Sequence, residues 1–113
     1  MNASHPMDAL ACAPEHHRLL FENEHVRVLD TRIGPGERSR LLAHEWPASL
    51  YVVSWSDFIR YDEHGAPVLD SRMLPQRPPA GSALWTGPLG PHALENIGDA
   101  PLHIVAVEMK GAR

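Results

Sequence analysis

The sequence has little cysteine and no long apolar run. Cys12 is the only cysteine among 113 residues, which excludes an internal disulfide and a thiolate metal cluster and is typical of a reducing compartment. No segment approaches the ~18 consecutive apolar residues of a membrane span. Residues 1–13 contain no Lys or Arg and only a short apolar stretch, unlike a signal peptide. We therefore expect a cytoplasmic protein without a membrane partner.

Positive charge is scarce as well. Ten Lys and Arg residues against fourteen Asp and Glu give a formal net charge of −4 and an isoelectric point near 6.0. A protein that binds nucleic acid neutralises phosphates with a basic surface, and this composition provides no such surplus. Nucleic acid is therefore not an expected partner.

Familiar catalytic motifs are missing too. The sequence has no nucleophile elbow, no glycine-rich phosphate loop, no paired cysteines and no helical zinc-binding motif. These absences remove the support for acyl transfer, nucleotide hydrolysis and zinc proteolysis. Any activity has to come from residues that the fold brings together.

Turn-forming residues and short β-favourable runs dominate what is present. Eleven prolines and eight glycines exceed average usage and separate about eight short runs, the pattern of an all-β sandwich or barrel. The predicted strands cover residues 18–21, 26–33, 50–55, 57–61, 68–74, 82–85, 92–97 and 102–109. Segment 38–46 has no internal Pro or Gly and is also compatible with one or two helical turns.

The sequence predicts one folded domain after a short N-terminal arm. Residues 1–16 lack periodicity and include Pro6 and Pro14, so we expect a mobile arm or an edge strand exchanged between the subunits of a dimer. Residues 17–113 then form a single domain, because the whole chain is within the usual single-domain range of ~50 to 200 residues.

Several segments, in order, resemble the small single-domain cupins. They are LLFENEHVRV at 19–28, PGE at 35–37, YVVS at 51–54, HALENIGD at 92–99 and VEMK at 107–110. The chain looks similar to the stand-alone bacterial cupins that include a protein associated with β-alanine degradation. The resemblance implies an RmlC-like jelly-roll β-barrel with its site inside, and subunits paired as a homodimer.

The second cupin motif fits the spacing of this sequence. In the family a glycine is followed by ten residues, a histidine, three residues and an asparagine, and Gly81, His92 and Asn96 stand at these positions. Pro88 and Gly90 each lie one place later than the pattern has them. The resemblance implies that His92 faces the barrel interior as a metal ligand.

The first cupin motif is incomplete. Two histidines one residue apart are implied, but only His44 is present, and its partner position falls on Leu42 or Trp46 according to the alignment. The motif's glutamate falls on residues 48–49 or 50–51, and none of these is Glu. His44 and His92 are two ligands where such sites need at least three, so we expect at most a weakly held divalent metal. The remaining histidines are interpreted as surface or turn residues: His16, His17, His25, His64 and His103.

Aromatic residues suggest the wall of a small-molecule pocket. Trp46, Tyr51 and Trp85 combine rings with polar handles, as ligand-binding residues of barrel mouths do. Leu42 and Asn96 are expected beside them. Core packing is the alternative for each aromatic, and Asn96 also suits a strand end whose backbone groups need hydrogen bonds.

Two arginines suggest a different kind of ligand site, one that binds an anion. Arg27 and Arg32 lie in one predicted strand, 26–33, and a guanidinium binds an anion through two parallel hydrogen bonds. A solvated strand face is the simpler interpretation of both residues.

Three functions are compatible with these residues. The favoured one is a small-molecule-binding cupin whose pocket contains His44 and His92 but lacks a complete metal site. The alternative is a metal-dependent oxygenase or isomerase of a small carboxylated metabolite, with His44 and His92 as ligands and other groups completing the shell. A non-catalytic interaction protein is the third, favoured if side chains fill the barrel interior. All depend on whether the fold brings residues 44 and 92 to one cavity.

Overall fold

The chain folds into nine strands, one short α-helix and one 3₁₀ turn at Ser71–Met73, as a computed structural model shows for residues 6–111. In chain order the elements are α1 (Ala9–Cys12), β1 (His17–Glu22), β2 (Val26–Ile33), β3 (Leu42–His44), β4 (Ala48–Ser54), β5 (Phe58–Asp62), β6 (Pro67–Asp70), β7 (Ala83–Thr86), β8 (Leu89–Asn96) and β9 (Leu102–Met109). Within the described part of the chain, no helix has the length and apolar character to span a bilayer.

The strands form two antiparallel sheets. The five-stranded sheet has the order β1-β2-β9-β4-β7, and the four-stranded sheet has the order β3-β8-β5-β6. The chain passes between the sheets several times, for example from β2 to β3 and from β8 to β9. The inner faces of the two sheets enclose a cavity. The prediction of an all-β, small jelly-roll barrel is confirmed.

The alternation of the sequence does not predict β3. Segment 38–46 contains an extended stretch rather than helical turns, because Leu42 pairs with His92 and His44 pairs with Leu89 on β8. With only three residues, β3 is too short to show the period of two that marks a strand. Its pairing is nevertheless decisive for the site, since it places β3 beside the strand that carries His92.

Side chains alternate between the cavity and the outer surface along the central strands. In β9, Leu102, Ile104, Ala106 and Glu108 lie on the cavity wall. Such alternation is expected of a strand with one face in a core. In β9 this alternation buries a charged residue, because Glu108 follows three apolar residues on the same face and is only 1% exposed.

The described part of the predicted arm packs on the barrel. Asp8 forms an isolated bridge with β3, and helix α1 follows directly. Ala9 and Ala13 are fully buried in a cluster with Leu29 and Leu42. Residues 1–5 of the arm and 112–113 of the domain lie outside the described residues, and exchange of the arm between subunits stays a prediction.

The outer face of the five-stranded sheet carries an apolar surface. Phe21 pairs with Val28, Val28 pairs with Val107, and Tyr51 pairs with Val105. Val105 and Val107 alternate with cavity-lining residues of β9, so this group points away from the barrel interior. Phe21 is 54% exposed and Tyr51 49% exposed. We propose that a second copy of the chain covers this face, since a two-fold axis places one apolar surface against itself.

The proposed homodimer is testable by light scattering. The chain is expected to show about twice its mass of 12.5 kDa, and Tyr51→Lys should produce monomers because it puts a charge into the interface. Met73→Lys is the matched control, since Met73 is 82% exposed and lies outside this face. A stable monomer of the unmodified chain would contradict the proposal.

Candidate functional site

A cavity of about 440 Å³ lies between the two sheets. Most of its wall is apolar and includes the rings of Trp46, Trp55, Phe58 and Trp85. Pockets that bind small molecules typically measure ~300 to 1,000 Å³, so this cavity is large enough for a ligand. A non-catalytic interaction protein is favoured only if side chains fill the barrel interior. The cavity shows that they do not fill it.

Three histidines reach this cavity from three strands. His17 is on β1, His44 on β3 and His92 on β8, and all three line the wall. The ring centres of His44 and His92 are 5.5 Å apart, and those of His17 and His44 are 6.4 Å apart. The structure thus brings residues 44 and 92 to one cavity. The interpretation of His17 as a surface residue is wrong, because His17 is buried and faces the cavity together with its strand partner Thr31.

Backbone hydrogen bonds orient two of these imidazoles. Nδ1 of His17 is 2.9 Å from the carbonyl oxygen of Ala13, and Nδ1 of His92 is 2.8 Å from that of Gly90. Because a carbonyl oxygen only accepts, each Nδ1 must carry the proton. In the neutral rings, Nε2 therefore keeps an unprotonated lone pair.

Burial keeps both rings neutral near pH 7. Desolvation lowers the pKa of His92 to about 4, assisted by the nearby positive charge of Arg60 and by His44. Desolvation also lowers the pKa of His17. The two side chains are therefore hydrogen-bond acceptors and proton acceptors at Nε2 rather than cations.

A chain of buried charges lies behind His44. Oε2 of Glu108 is 3.4 Å from Nδ1 of His44, within ion-pair distance but without the angle of a hydrogen bond. Nε of Arg27 donates to Oε1 of Glu108 at 2.6 Å, and its two terminal nitrogens donate to Asp8 at 2.6 and 3.0 Å. Burial acts to lower the pKa of Arg27, but the bonds to Asp8 and Glu108 outweigh it and raise the pKa above its ordinary value.

Cations also hold Trp46 at the cavity wall. The guanidinium of Arg27 lies 5.2 Å from the centre of the indole, and Nζ of Lys110 lies 5.7 Å from it. Both distances are within the ~6 Å of a cation–π interaction. Trp46 is therefore coupled to the buried ion pairs as well as to the cavity.

The structure places three of the five predicted pocket residues on the cavity wall. Leu42, Trp46 and Trp85 line it. Tyr51 does not, because it alternates with Leu50 on β4 and so projects from the outer face of the sheet.

Asn96 is the second predicted pocket residue that lies elsewhere. Its amide is 1% exposed and bonds with protein groups only: Nδ2 donates to the carbonyl oxygens of Ile33 and Ala100, both at 2.8 Å. Oδ1 accepts from the hydroxyl of Ser56 at 2.7 Å and from the backbone of Gly98 at 3.0 Å. Asn96 thus fixes the end of β8 and the following turn, and the prediction that it lines the pocket is wrong.

The arginines predicted to bind an anion are not available to the cavity. Arg27 is saturated by two carboxylates, and Arg32 is exposed on the outer surface. A third arginine, Arg60 on β5, lies on the cavity wall. Sequence reasoning missed it.

The alternation of side chains along a strand could have predicted that Glu108 and Arg60 line the cavity. Glu108 follows cavity-lining Ala106 by two positions, and Arg60 follows cavity-lining Phe58 by two positions. With a period of two, each charged residue shares its face with an apolar neighbour. A charged residue at an inward position of an apolar strand is therefore the pattern that predicts them, and the two family motifs do not contain it.

The donor set does not fit the metal site that the cupin motifs imply. Among residues 6–111, no three His, Cys, Asp or Glu side chains are arranged to hold a metal ion. His44 and His92 are close to each other, but Leu42 and Trp46, the two positions where the motif's second histidine would fall, carry no metal-binding group. Glu108 is engaged by Arg27.

Comparison with solved structures identifies the fold. A cupin domain from Bordetella pertussis Tohama I has a TM-score of 0.68 at 18% identity, covering 84% of this chain and 92% of that one. A protein with a double-stranded β-helix domain from Klebsiella pneumoniae has a TM-score of 0.57 at 20% identity, covering 84% and 76%. An RmlC-like cupin family protein from Methanocaldococcus jannaschii has a TM-score of 0.57 at 15% identity, covering 82% and 77%.

These matches and the barrel define a small domain of the cupin fold, and the predicted RmlC-like jelly roll is confirmed. Identities of this size show the fold alone. No protein-family model matches the chain, and no curated protein matches it. The similarity to the stand-alone bacterial group associated with β-alanine degradation stays a prediction.

Replacing Asn96 should destabilise the fold. Asn96→Ala leaves two carbonyls, a hydroxyl and a backbone amide without their partner, and we expect a loss of roughly 3 kcal/mol or more in the free energy of unfolding. Asn23→Ala is the control, because Asn23 is a surface residue that accepts two backbone hydrogen bonds in a turn. Urea unfolding measures both, and equal losses would contradict the assignment.

The buried His92 should make stability fall in mild acid. An unfolded chain protonates this histidine near 6.5, whereas the folded protein resists protonation until about pH 4. The unfolded state therefore binds more protons within this window, and up to roughly 3 kcal/mol of stability is lost as the pH falls through it. His92→Gln should remove that part of the pH dependence, while His64→Gln, a change at an exposed ring, should not. Identical pH profiles for both variants would refute the argument.

Proposed function

We propose that this cupin-fold protein binds a small organic molecule in the cavity between its sheets and lacks a firmly held metal ion. The observation that carries the proposal is the cavity itself, about 440 Å³ with mostly apolar walls and a few polar side chains. Binding sites for small molecules combine these features, since apolar walls supply affinity and sparse polar groups supply orientation.

The histidines supply the orienting chemistry. His17 and His92 present neutral imidazoles whose Nδ1–H groups are fixed by backbone carbonyls. Each can accept a hydrogen bond or a proton at Nε2 from an O–H or N–H group of the ligand. His44, between them, is backed by the carboxylate of Glu108. A ligand with a polar end and an apolar body suits this arrangement.

The competing function is a metal-dependent oxygenase or isomerase. One observation favours it: the Nδ1–H groups of His17 and His92 donate to backbone carbonyls, and metal-binding histidines commonly do so. The missing third donor near His44 and His92 weighs against it.

Metal analysis separates the two functions. Protein purified without chelators should contain far less than one equivalent of Mn, Fe, Ni or Zn per chain by mass spectrometry, because two adjacent imidazoles hold such ions weakly. One firmly retained equivalent, lost in a folded His92→Ala variant, would establish the metal-dependent alternative instead.

Binding itself is testable with a library of small organic compounds. Ligands detected by saturation-transfer NMR should lose binding in Ala106→Trp, because Ala106 lines the cavity and an indole there fills the space. Ala66→Trp adds the same ring to an exposed turn and is the matched control, and circular dichroism checks both folds. If no compound binds, or if Ala106→Trp binds as the unmodified protein does, the proposed function is wrong.

A further inference from the structure

Arg60 lies on the cavity wall in the middle of β5. Its direct strand partners are Leu94 on β8 and Leu69 on β6, and both of these leucines also line the cavity. Phe58, two residues earlier on the strand, does so as well. Register and alternation therefore agree that the side chain of Arg60 belongs to the interior of the barrel.

The charge of Arg60 has no compensation in the described protein. Within residues 6–111, its Nε is buried without a hydrogen-bond partner, and no carboxylate lies within ion-pair distance. Burial lowers the pKa of Arg60, with no opposing interaction. Because a guanidinium keeps its proton in proteins, the described cavity wall contains a partly buried cation without a carboxylate partner.

This state distinguishes Arg60 from the other arginines that the structure buries or pairs. Those arginines contact carboxylates: Arg27 with Asp8 and Glu108, Arg40 with Glu15, Arg72 with Asp70, and Arg77 with Asp57. A buried charge without a partner is unfavourable. An anion that enters the cavity would supply the missing partner.

We propose that Arg60 binds the carboxylate of the cavity ligand, which makes the ligand a small carboxylic acid with an apolar body. This inference rests on the proposed binding function. A guanidinium matches a carboxylate through two parallel, charge-assisted hydrogen bonds. His92 is two residues from Leu94, the direct partner of Arg60 on β8, and both His92 and Leu94 line the cavity, so His92 and Arg60 share one part of the cavity.

A carboxylate suits the cavity better than a phosphate does. Arg60 is the only Lys or Arg side chain on the described cavity wall, and two histidines of that wall, His17 and His92, have lowered pKa values. One guanidinium balances the single charge of a carboxylate, whereas a phosphate ester carries more negative charge near pH 7. The rest of the described wall is mostly apolar, and its only acidic side chain, Glu108, is already paired with Arg27, so the wall offers a phosphate no additional Lys or Arg.

Matched acids and amides test the inference. The probes are straight-chain and phenyl-substituted monocarboxylic acids, their primary amides and the corresponding phosphate esters, titrated by calorimetry. The unmodified protein should bind the acids and discriminate against the amides. Arg60→Met should weaken binding of the acids by roughly 10- to 100-fold and leave the amides unchanged, because only the charged bonds are lost. Arg60→Lys should restore part of the loss, and Arg32→Met, outside the cavity, should behave as the unmodified protein.

The melting temperature gives a second measurement that needs no ligand. Since methionine is uncharged and of similar length, Arg60→Met should melt at or above the temperature of the unmodified protein. Unfolding of this variant would mean that the guanidinium has a structural partner, which overturns the inference. Equal binding of acids and amides, or preferred binding of phosphates, would also overturn it while the proposed function stands. If no probe of any class binds, both proposals fall.

Discussion

The buried ion pairs that join Asp8, Arg27 and Glu108 are the interaction on which the site depends. Arg27 and Glu108 are direct partners on β2 and β9, so the register of the five-stranded sheet fixes their contact. Asp8 comes from the segment before α1 and completes the set. Removing one partner from such a group costs ~3 to 5 kcal/mol, because a buried charge is left alone. The sheet register and the docking of the N-terminal segment are therefore energetically coupled, and the position of His44 against Glu108 follows from both.

The two interior arginines, Arg27 and Arg60, differ in whether the protein itself neutralises their charge. Arg27 is neutralised within the protein, whereas Arg60 faces the cavity without a carboxylate. The consequence extends to His92, whose pKa is lowered by burial and further by the charge of Arg60. The charge of Arg60 thus helps to keep His92 a neutral acceptor, whereas His92 does not compensate the charge of Arg60. In this arrangement Arg60 provides the positive charge of the cavity wall, and the imidazoles provide its hydrogen-bond acceptors.

The sequence predicts most of the fold and part of the site, for identifiable reasons. Alternation is sufficient for long strands such as β2 and β9, but β3 is too short to show it, and that strand carries His44. The resemblance to the cupin motifs predicts correctly that His44 and His92 lie at one cavity. Tyr51 illustrates the opposite error, because its own alternation with Leu50 already places it on the outer face. The contact of Asp8 with Arg27 has no local pattern, since the two residues are 19 positions apart and meet only through the packing of the first segment on the sheet.

Leu42, one of the two positions where the first motif's missing histidine would fall, is part of the packing around the N-terminal segment. Its side chain is 3% exposed and lies in one cluster with Ala9, Ala13 and Leu29. Leu42 thereby helps bury the helix that follows Asp8. An imidazole at this position would lose those apolar contacts and bring a polar group into them without a partner. A histidine at position 42 and the packing of the N-terminal segment would therefore compete for the same space. The described cavity wall carries three imidazoles, the carboxylate of Glu108 and the guanidinium of Arg60, and a small carboxylic acid is the ligand that we propose for it.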